Sequence, residues 1–276
     1  MKVHLAGLAV ALLAALAPAV VEGQLYNTAK QKLMDGKQII GGTISSPDPA
    51  IYCAMANAGF DYLWIEMQHS PLTYQEVALM IRACPGAAAV PFIRVPDATE
   101  GDIQKATDIG ALGIIVPMVS SVEKVENAVR FASYPPRGVR SQGGGQYGAL
   151  WGSTYRKTAN DNIMIIAMIE SPAGVEIAAE IAAVPGVDVV FAASSDLRSF
   201  SGYSQGEPEY EALITAIHDE TLKAGRKLGG PVAWRNREGF SFFQAPPATS
   251  LIRQGAKALL TTTGSGVAPI EGSSRQ

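Results

Sequence analysis

After residue 37 the chain alternates between two hydrophobic patterns. Short apolar runs, rich in β-branched and aromatic residues, stand at IIGGTIS (39–45), YLWIEM (62–67), AVPFIRV (89–95) and LGIIVPMV (112–119). They continue at IMIIAMIE (163–170), VDVVFAAS (187–194), KLGGPVA (227–233) and ALLTTTG (258–264). Between them lie segments of helical spacing: Tyr74–Cys84, Thr99–Ile109, Val122–Ala132, Ala173–Ala182 and Tyr210–Ala224. Strands that are apolar on both faces and alternate with helices imply a parallel sheet covered on both sides. Eight such units predict an α/β fold of the (β/α)8 TIM-barrel type. A doubly wound open sheet would carry a Gly-rich turn after its first strand, whereas Gly41-Gly42 lies inside that strand and no GxGxxG follows. FFQAPP (242–247) reads as the lead into the helix before the eighth strand. Only SGVAPIEGSSRQ follows that strand, so a full last helix is expected to be missing. The connection YPPRGVRSQGGGQYGALWG (134–152) reads either as a flexible surface loop or as a functional one whose Arg137, Arg140 and Ser141 hold an anion.

The first residues break this rhythm. MKVHLAGLAVALLAALAPAVVEGQ has Lys2 followed by an apolar run from Leu5 to Ala17, the length of a signal-peptide core and too short for a membrane span. Residues 1–23 are expected to be a secretory signal peptide cleaved near Gly23-Gln24, and residues 24–276 a single domain. The mature protein is then secreted or held in the secretory-pathway lumen, and no stable membrane span is expected. Secretion permits a disulfide, and Cys53 and Cys84 are the only cysteines. A bridge between them and a pair of buried free thiols both remain open. With 17% charged residues and a formal net charge of −3, the chain shows no basic stripe, which argues against nucleic acid as a partner.

Candidate chemistry lies at the C-terminal ends of the strands, where barrel enzymes work. The second strand runs into Glu66, Gln68 and His69, the third ends at Arg94, the fifth at Glu170, and Asp196 follows the sixth. Asp108 stands just ahead of the fourth. A carboxylate deep in apolar surroundings is costly unless paired or bound to a cation. Glu170 and Asp196, on adjacent strands, would repel unless they shared a proton or a metal ion. Oxygen-only donors with open positions suit Mg2+ or Mn2+, with Co2+ a further candidate. Arg94 is suited to clamping a carboxylate or polarising a carbonyl, and His69 to moving a proton near neutral pH. A 2-oxo acid held on a cation beside a base is equipped for enolate formation. HExxH, CxxC and Walker-loop signatures are missing from the sequence, and no GxSxG surrounds Ser194-Ser195, which is therefore no nucleophile elbow.

The stretches IEMQHSP, FIRVP, DIGALGIIVPMV, YPPRGVRS, MIESPAGVE and GVDVVFAASSDL…GY, in this order, resemble the HpcH/HpaI aldolase and citrate lyase family across nearly all of residues 37–264. That family comprises metal-dependent class II pyruvate aldolases with a barrel of the phosphoenolpyruvate/pyruvate-domain type. The resemblance implies Glu170 and Asp196 as metal ligands and Arg94 as the contact to the substrate keto oxygen. It implies His69 as catalytic base, Asp108 as the carboxylate that orients it, and Gln68, Ser194 and Ser195 among the substrate contacts. Glu66-Met67-Gln68-His69 replaces the family's Asp-x-Glu-His, and Ala193-Ser194-Ser195-Asp196-Leu197-Arg198 its Gly-Pro-x-Asp-Leu-Ser. Ser194 and Ser195 at that strand end suggest altered acid selectivity, and the RSQGGGQ loop with FAASSDLRSFSGY suggests a subgroup nearer to fungal macrophomate synthase.

The expected activity is carbon–carbon bond cleavage or formation, or decarboxylation, on a 2-oxo acid through a metal-bound enolate, with an aldehyde or other acceptor as the second partner and a homo-oligomer as the assembly. Two other readings stay open: coupling of the enolate to a natural-product acceptor, for which the 134–152 loop would make room, and a secreted, non-catalytic binding barrel.

Overall fold

The computed structural model describes residues 25–262. The expected signal peptide and its cleavage point lie outside them. Eight parallel strands close a barrel in sequence order: β1 (Ile39–Ile44), β2 (Tyr62–Glu66), β3 (Val90–Arg94), β4 (Gly113–Val116), β5 (Met164–Ile169), β6 (Val189–Ala192), β7 (Lys227–Pro231) and β8 (Phe240–Pro247). Helix α1 (Thr28–Met34) precedes the barrel. Around it run α2 (Pro49–Ala56), α3 (Tyr74–Ala83), α4 (Glu100–Asp108), α5 (Val122–Ala132), α6 (Tyr147–Trp151), α7 (Tyr155–Asn162), α8 (Pro172–Glu176), α9 (Ala178–Ala183), α10 (Ser194–Ser201), α11 (Pro208–Lys223) and α12 (Ala248–Thr262). No described helix is long and apolar enough to cross a membrane.

Helix starts follow local chemistry. Thr73 caps α3 in a reciprocal capping box with Glu76, and Thr99 and Ser121 cap α4 and α5 through their hydroxyls. Side chains alternate along each strand, so Tyr62, Trp64 and Glu66 share the inner face of β2. Tyr62 lies between Phe92 and Phe242, with ring centroids 4.7 Å away on either side. One layer nearer the C-terminal ends, Trp64 packs on Phe191 at 5.2 Å. Gly41 explains the double glycine of β1, because a Cβ there would run into the Tyr62 ring. This aromatic stack fills the lumen up to the level of Glu66.

Two expectations about the end of the chain are corrected. The eighth strand is Phe240–Pro247, not 258–264, and a last helix does follow it: residues 258–262 belong to α12. Phe242 and Phe243 are both fully buried, one toward the lumen and one toward the outer core, as a strand covered on both faces requires. Pro246 and Pro247 sit at the strand's end, where lost amide donors cost little. The crossover that lacks an α-helix is instead 232–239, which holds only a 3-10 turn at Val232–Trp234. Helix α12 keeps Ala248 buried but exposes Ile252.

The 134–152 connection lies on the N-terminal face, opposite the strand tips, because α5 runs back down the barrel before it. Arg140 is not an anion site there. Its guanidinium is buried beneath the rings of Tyr134, Tyr147 and Tyr155, at 4.6, 5.4 and 5.4 Å. It donates to Tyr155 Oη at 2.8 Å and pairs with Asp108 at 2.9 Å. Arg137 is engaged by Asn160 and Asp161. Cys53 and Cys84 are free thiols, both half-buried, and Asn57 Nδ2 donates to Cys84 Sγ at 3.5 Å.

Candidate active site

The tips of β2, β3, β5 and β6 bring most of the expected residues together. Glu66 and Arg94 are direct partners in the β2–β3 register. Both are buried, and Arg94 Nε donates to Glu66 Oε2 at 2.6 Å while Nη2 closes an ion pair with the same oxygen. Trp64 Nε1 donates to Oε2 at 3.1 Å, and the guanidinium lies 5.6 Å from the centroid of that indole. The other carboxylate oxygen accepts the backbone N–H groups of Gln68 and His69, each at 2.9 Å. One carboxylate therefore fixes the Arg94 clamp and folds the turn that presents His69. Arg94 Nη1 remains, with only Met168 Sδ beside it at 4.0 Å.

A cavity of about 230 Å3 opens above this pair, lined by His69, Arg94, Ser194, Ser195 and Asp196 together with Met168, Phe191, Ala193, Pro231 and Gln244. His69 is exposed at its mouth. Ser194 and Ser195 form the first turn of α10, which begins at Ala193 without a side-chain cap. Its free amide groups and positive dipole end suit a carboxylate. Gln68 does not line the cavity; its Oε1 is buried without a hydrogen-bond partner.

Glu170, two residues beyond the cavity-lining Met168, does not itself line the cavity and is buried at 1% exposure. Its Oε2 accepts from Met118 N–H at 2.7 Å, and Met118 has a φ of 51°, a left-handed conformation that is uncommon outside glycine. Its Oε1 is buried with no partner. Burial, the charge of Asp196 adding to it, pushes the Glu170 carboxyl from 4.5 up to about 7, against the pull of the Met118 amide, Arg94 and Lys124. An orphaned carboxylate oxygen held at this cost beside a second carboxylate is what a divalent cation would satisfy. Among the described residues no cluster of three or more His, Cys, Asp or Glu is placed to hold a metal. Glu170 and Asp196 would offer such an ion two carboxylates and leave positions for water and substrate oxygens, and these donors fit Mg2+ or Mn2+.

Asp108 is not brought to the site. It ends α4, which runs antiparallel to the strands, and so lies on the opposite face with Arg140 and Gln104 as partners. Among the described residues no side chain hydrogen-bonds the His69 ring. The 134–152 loop is equally remote, which removes the feature that would have made room for a bulky acceptor. Trp151 and Trp234 pack on Tyr26 and Phe240, away from the cavity. Gln244 and Pro231 escaped the sequence reading; the inward alternation of FSFFQAPP was the signal that could have found Gln244.

The chain matches the family model of HpcH/HpaI aldolase/citrate lyase over residues 44–237. It is 37% identical over 223 residues to a hydroxypyruvate/pyruvate aldolase of Delftia acidovorans, covering 75% of this chain and 81% of that protein. A solved HpcH/HpaI aldolase/citrate lyase family protein from Burkholderia cenocepacia shares 28% identity at a TM-score of 0.78, over 87% of this chain and all of the other. Macrophomate synthase, at 22% identity and a TM-score of 0.74 over 88% of this chain and 91% of its own, shares the fold. With the family match and relatives that are aldolases, the chain is a carbon–carbon lyase of the aldolase type. The chain belongs to the HpcH/HpaI aldolase/citrate lyase family.

Proposed function

We propose that the chain cleaves and forms carbon–carbon bonds next to the keto group of a small 2-oxo acid, using Mg2+ or Mn2+ held by Glu170 and Asp196. The partnerless Glu170 oxygen, electrostatically coupled to Asp196 and Arg94, which line the cavity together with His69, is the observation that carries this reading. A bound divalent cation would supply Lewis acidity at the keto oxygen. The substrate carboxylate lies on the first turn of α10, where Ser194 and Ser195 offer amides and hydroxyls. Arg94 Nη1 donates to the keto oxygen and stabilises negative charge as it develops there. Glu66 holds that guanidinium in place, so no reorganisation is needed when the charge appears. His69 takes the proton from the carbon next to the keto group when a bond is to be made, and returns it after cleavage.

The test is cleavage of 4-hydroxy-2-oxo acids to pyruvate and aldehyde in the presence of Mg2+ or Mn2+. His69→Ala is expected to lower kcat about 10²- to 10⁴-fold, the usual worth of a positioned acid–base group, while calorimetry shows metal binding unchanged. Wild-type kcat in His69→Ala, or no cleavage by metal-loaded wild-type protein, contradicts the assignment.

A further inference from the structure

The acid cavity does not end at Gln244. A second space of about 330 Å3 begins there and runs past the C-terminal ends of β7 and β8. The two share Pro231 and Gln244, so they meet along one wall. Val232, Ala245, Pro246 and Pro247 line the second space, and none of the residues around it is charged. Its polar atoms are partly engaged with one another: Thr43 Oγ1 donates to the Ala245 carbonyl at 2.8 Å, and Gln244 Nε2 approaches Thr43 Oγ1 at 3.4 Å. The Gln244 carbonyl oxygen and one amide hydrogen are left for a ligand at the junction. The contrast is chemical: one side offers Arg94, His69 and Asp196, the other prolines and small apolar groups.

We propose that this groove is the acceptor subsite and that it selects aldehydes bearing an uncharged, apolar substituent of about the size of one ring. This rests on the 2-oxo acid reading of the adjoining cavity and names its second substrate. Pyruvate in the acid cavity loses a methyl proton, and the resulting carbon attacks the aldehyde carbon. A new carbon–carbon bond forms, the carbonyl π pair moves to the aldehyde oxygen, and that oxygen takes up a proton to give a 4-hydroxy-2-oxo acid. Gln244, at the junction, reaches the aldehyde oxygen, while the substituent lies on the prolines. A carboxylate or phosphate on that substituent would lose its hydration without gaining a partner, which is costly in an uncharged groove. The continuity of the two spaces commits the groove to the second substrate rather than to a macromolecule.

The experiment is a competition between acceptors matched in size and differing in charge: benzaldehyde against 4-carboxybenzaldehyde, and pentanal against 4-oxobutanoate, each with pyruvate and Mg2+ or Mn2+. The uncharged member of each pair is expected to be favoured at least about tenfold in kcat/KM, the scale set by an unpaired polar group. Val232→Lys places a cation in the groove and is expected to erase or invert that preference; Pro247→Lys serves the same purpose if the first variant does not fold. Saturation-transfer NMR with benzyl alcohol on metal-free protein reads the groove without turnover, with contact seen in wild type and lost in the Lys variant. Pyruvate methyl-proton exchange without any acceptor separates the two claims. Exchange with equal use of both members, or preference for the charged one, overturns the acceptor assignment alone. A Val232→Lys protein that keeps the wild-type preference does the same. Absence of exchange overturns the 2-oxo acid reading and the acceptor assignment with it.

Discussion

Glu66→Ala is expected to cost about 3–5 kcal/mol of folding stability, the range for removing one partner of a buried ion pair. Its neighbour, the guanidinium of Arg94, sits at the tip of a fully buried strand with Trp64 on one side and Met168 on the other. Without Glu66 the guanidinium has no counter-charge, the Trp64 indole loses its acceptor, and the amides of Gln68 and His69 lose theirs. The turn carrying His69 would loosen together with the clamp. Urea denaturation measures the effect. A midpoint unchanged from wild type would show that the pair carries none of the stability assigned to it. Glu66→Gln, which keeps the shape and one acceptor, is expected to recover part of the loss.

Glu170→Gln should divide the protein's behaviour in two. In metal-free protein it is expected to stabilise the fold at pH 8 by up to about 3 kcal/mol, since each pKa unit corresponds to about 1.4 kcal/mol. The sign follows from the direction of the shift. The folded carboxyl titrates near 7 and the unfolded one near 4.5. The wild-type protein therefore has its full stability below the unfolded value and loses it progressively as pH rises through the folded one. Glutamine cannot ionise, so the variant shows no such fall. Thermal unfolding in EDTA across pH 5 to 8 should give curves that meet at the acid end and separate toward the alkaline end, with the variant higher. Parallel curves would mean that burial does not set the ionisation of Glu170.

Much of this was legible because barrel strands carry chemistry at one end. In YLWIEMQHSP the apolar run stops at Glu66, and in AVPFIRV at Arg94; parallel register then makes the two neighbours without any long-range information. Glu170 and Asp196 follow from the same rule. What escaped the sequence depended on direction and depth. Asp108 stands only a few residues from β4, but the helix it ends travels the length of the barrel away from the tips, and spacing along the chain does not record that reversal. ALLTTTG has the β-branched composition of a strand, whereas FSFFQAPP hides one behind adjacent phenylalanines and two prolines. The misplaced last strand concealed Gln244 and the groove beyond it. Glu170's partnerless oxygen also has no sequence signature, because it arises from the Met118 amide occupying one side of the carboxylate and packed side chains enclosing the other.

The most direct measurement is the exchange of pyruvate methyl protons with D2O, followed by NMR, in protein loaded with Mg2+ or Mn2+ and in EDTA-treated protein. Exchange that appears with the metal, vanishes with EDTA and is abolished by Glu170→Gln is the predicted result. It would show proton removal next to the keto group at the Glu170–Asp196 site before any acceptor is considered. Exchange that proceeds equally in EDTA or in Glu170→Gln, or that is missing from protein with bound metal, would contradict the account.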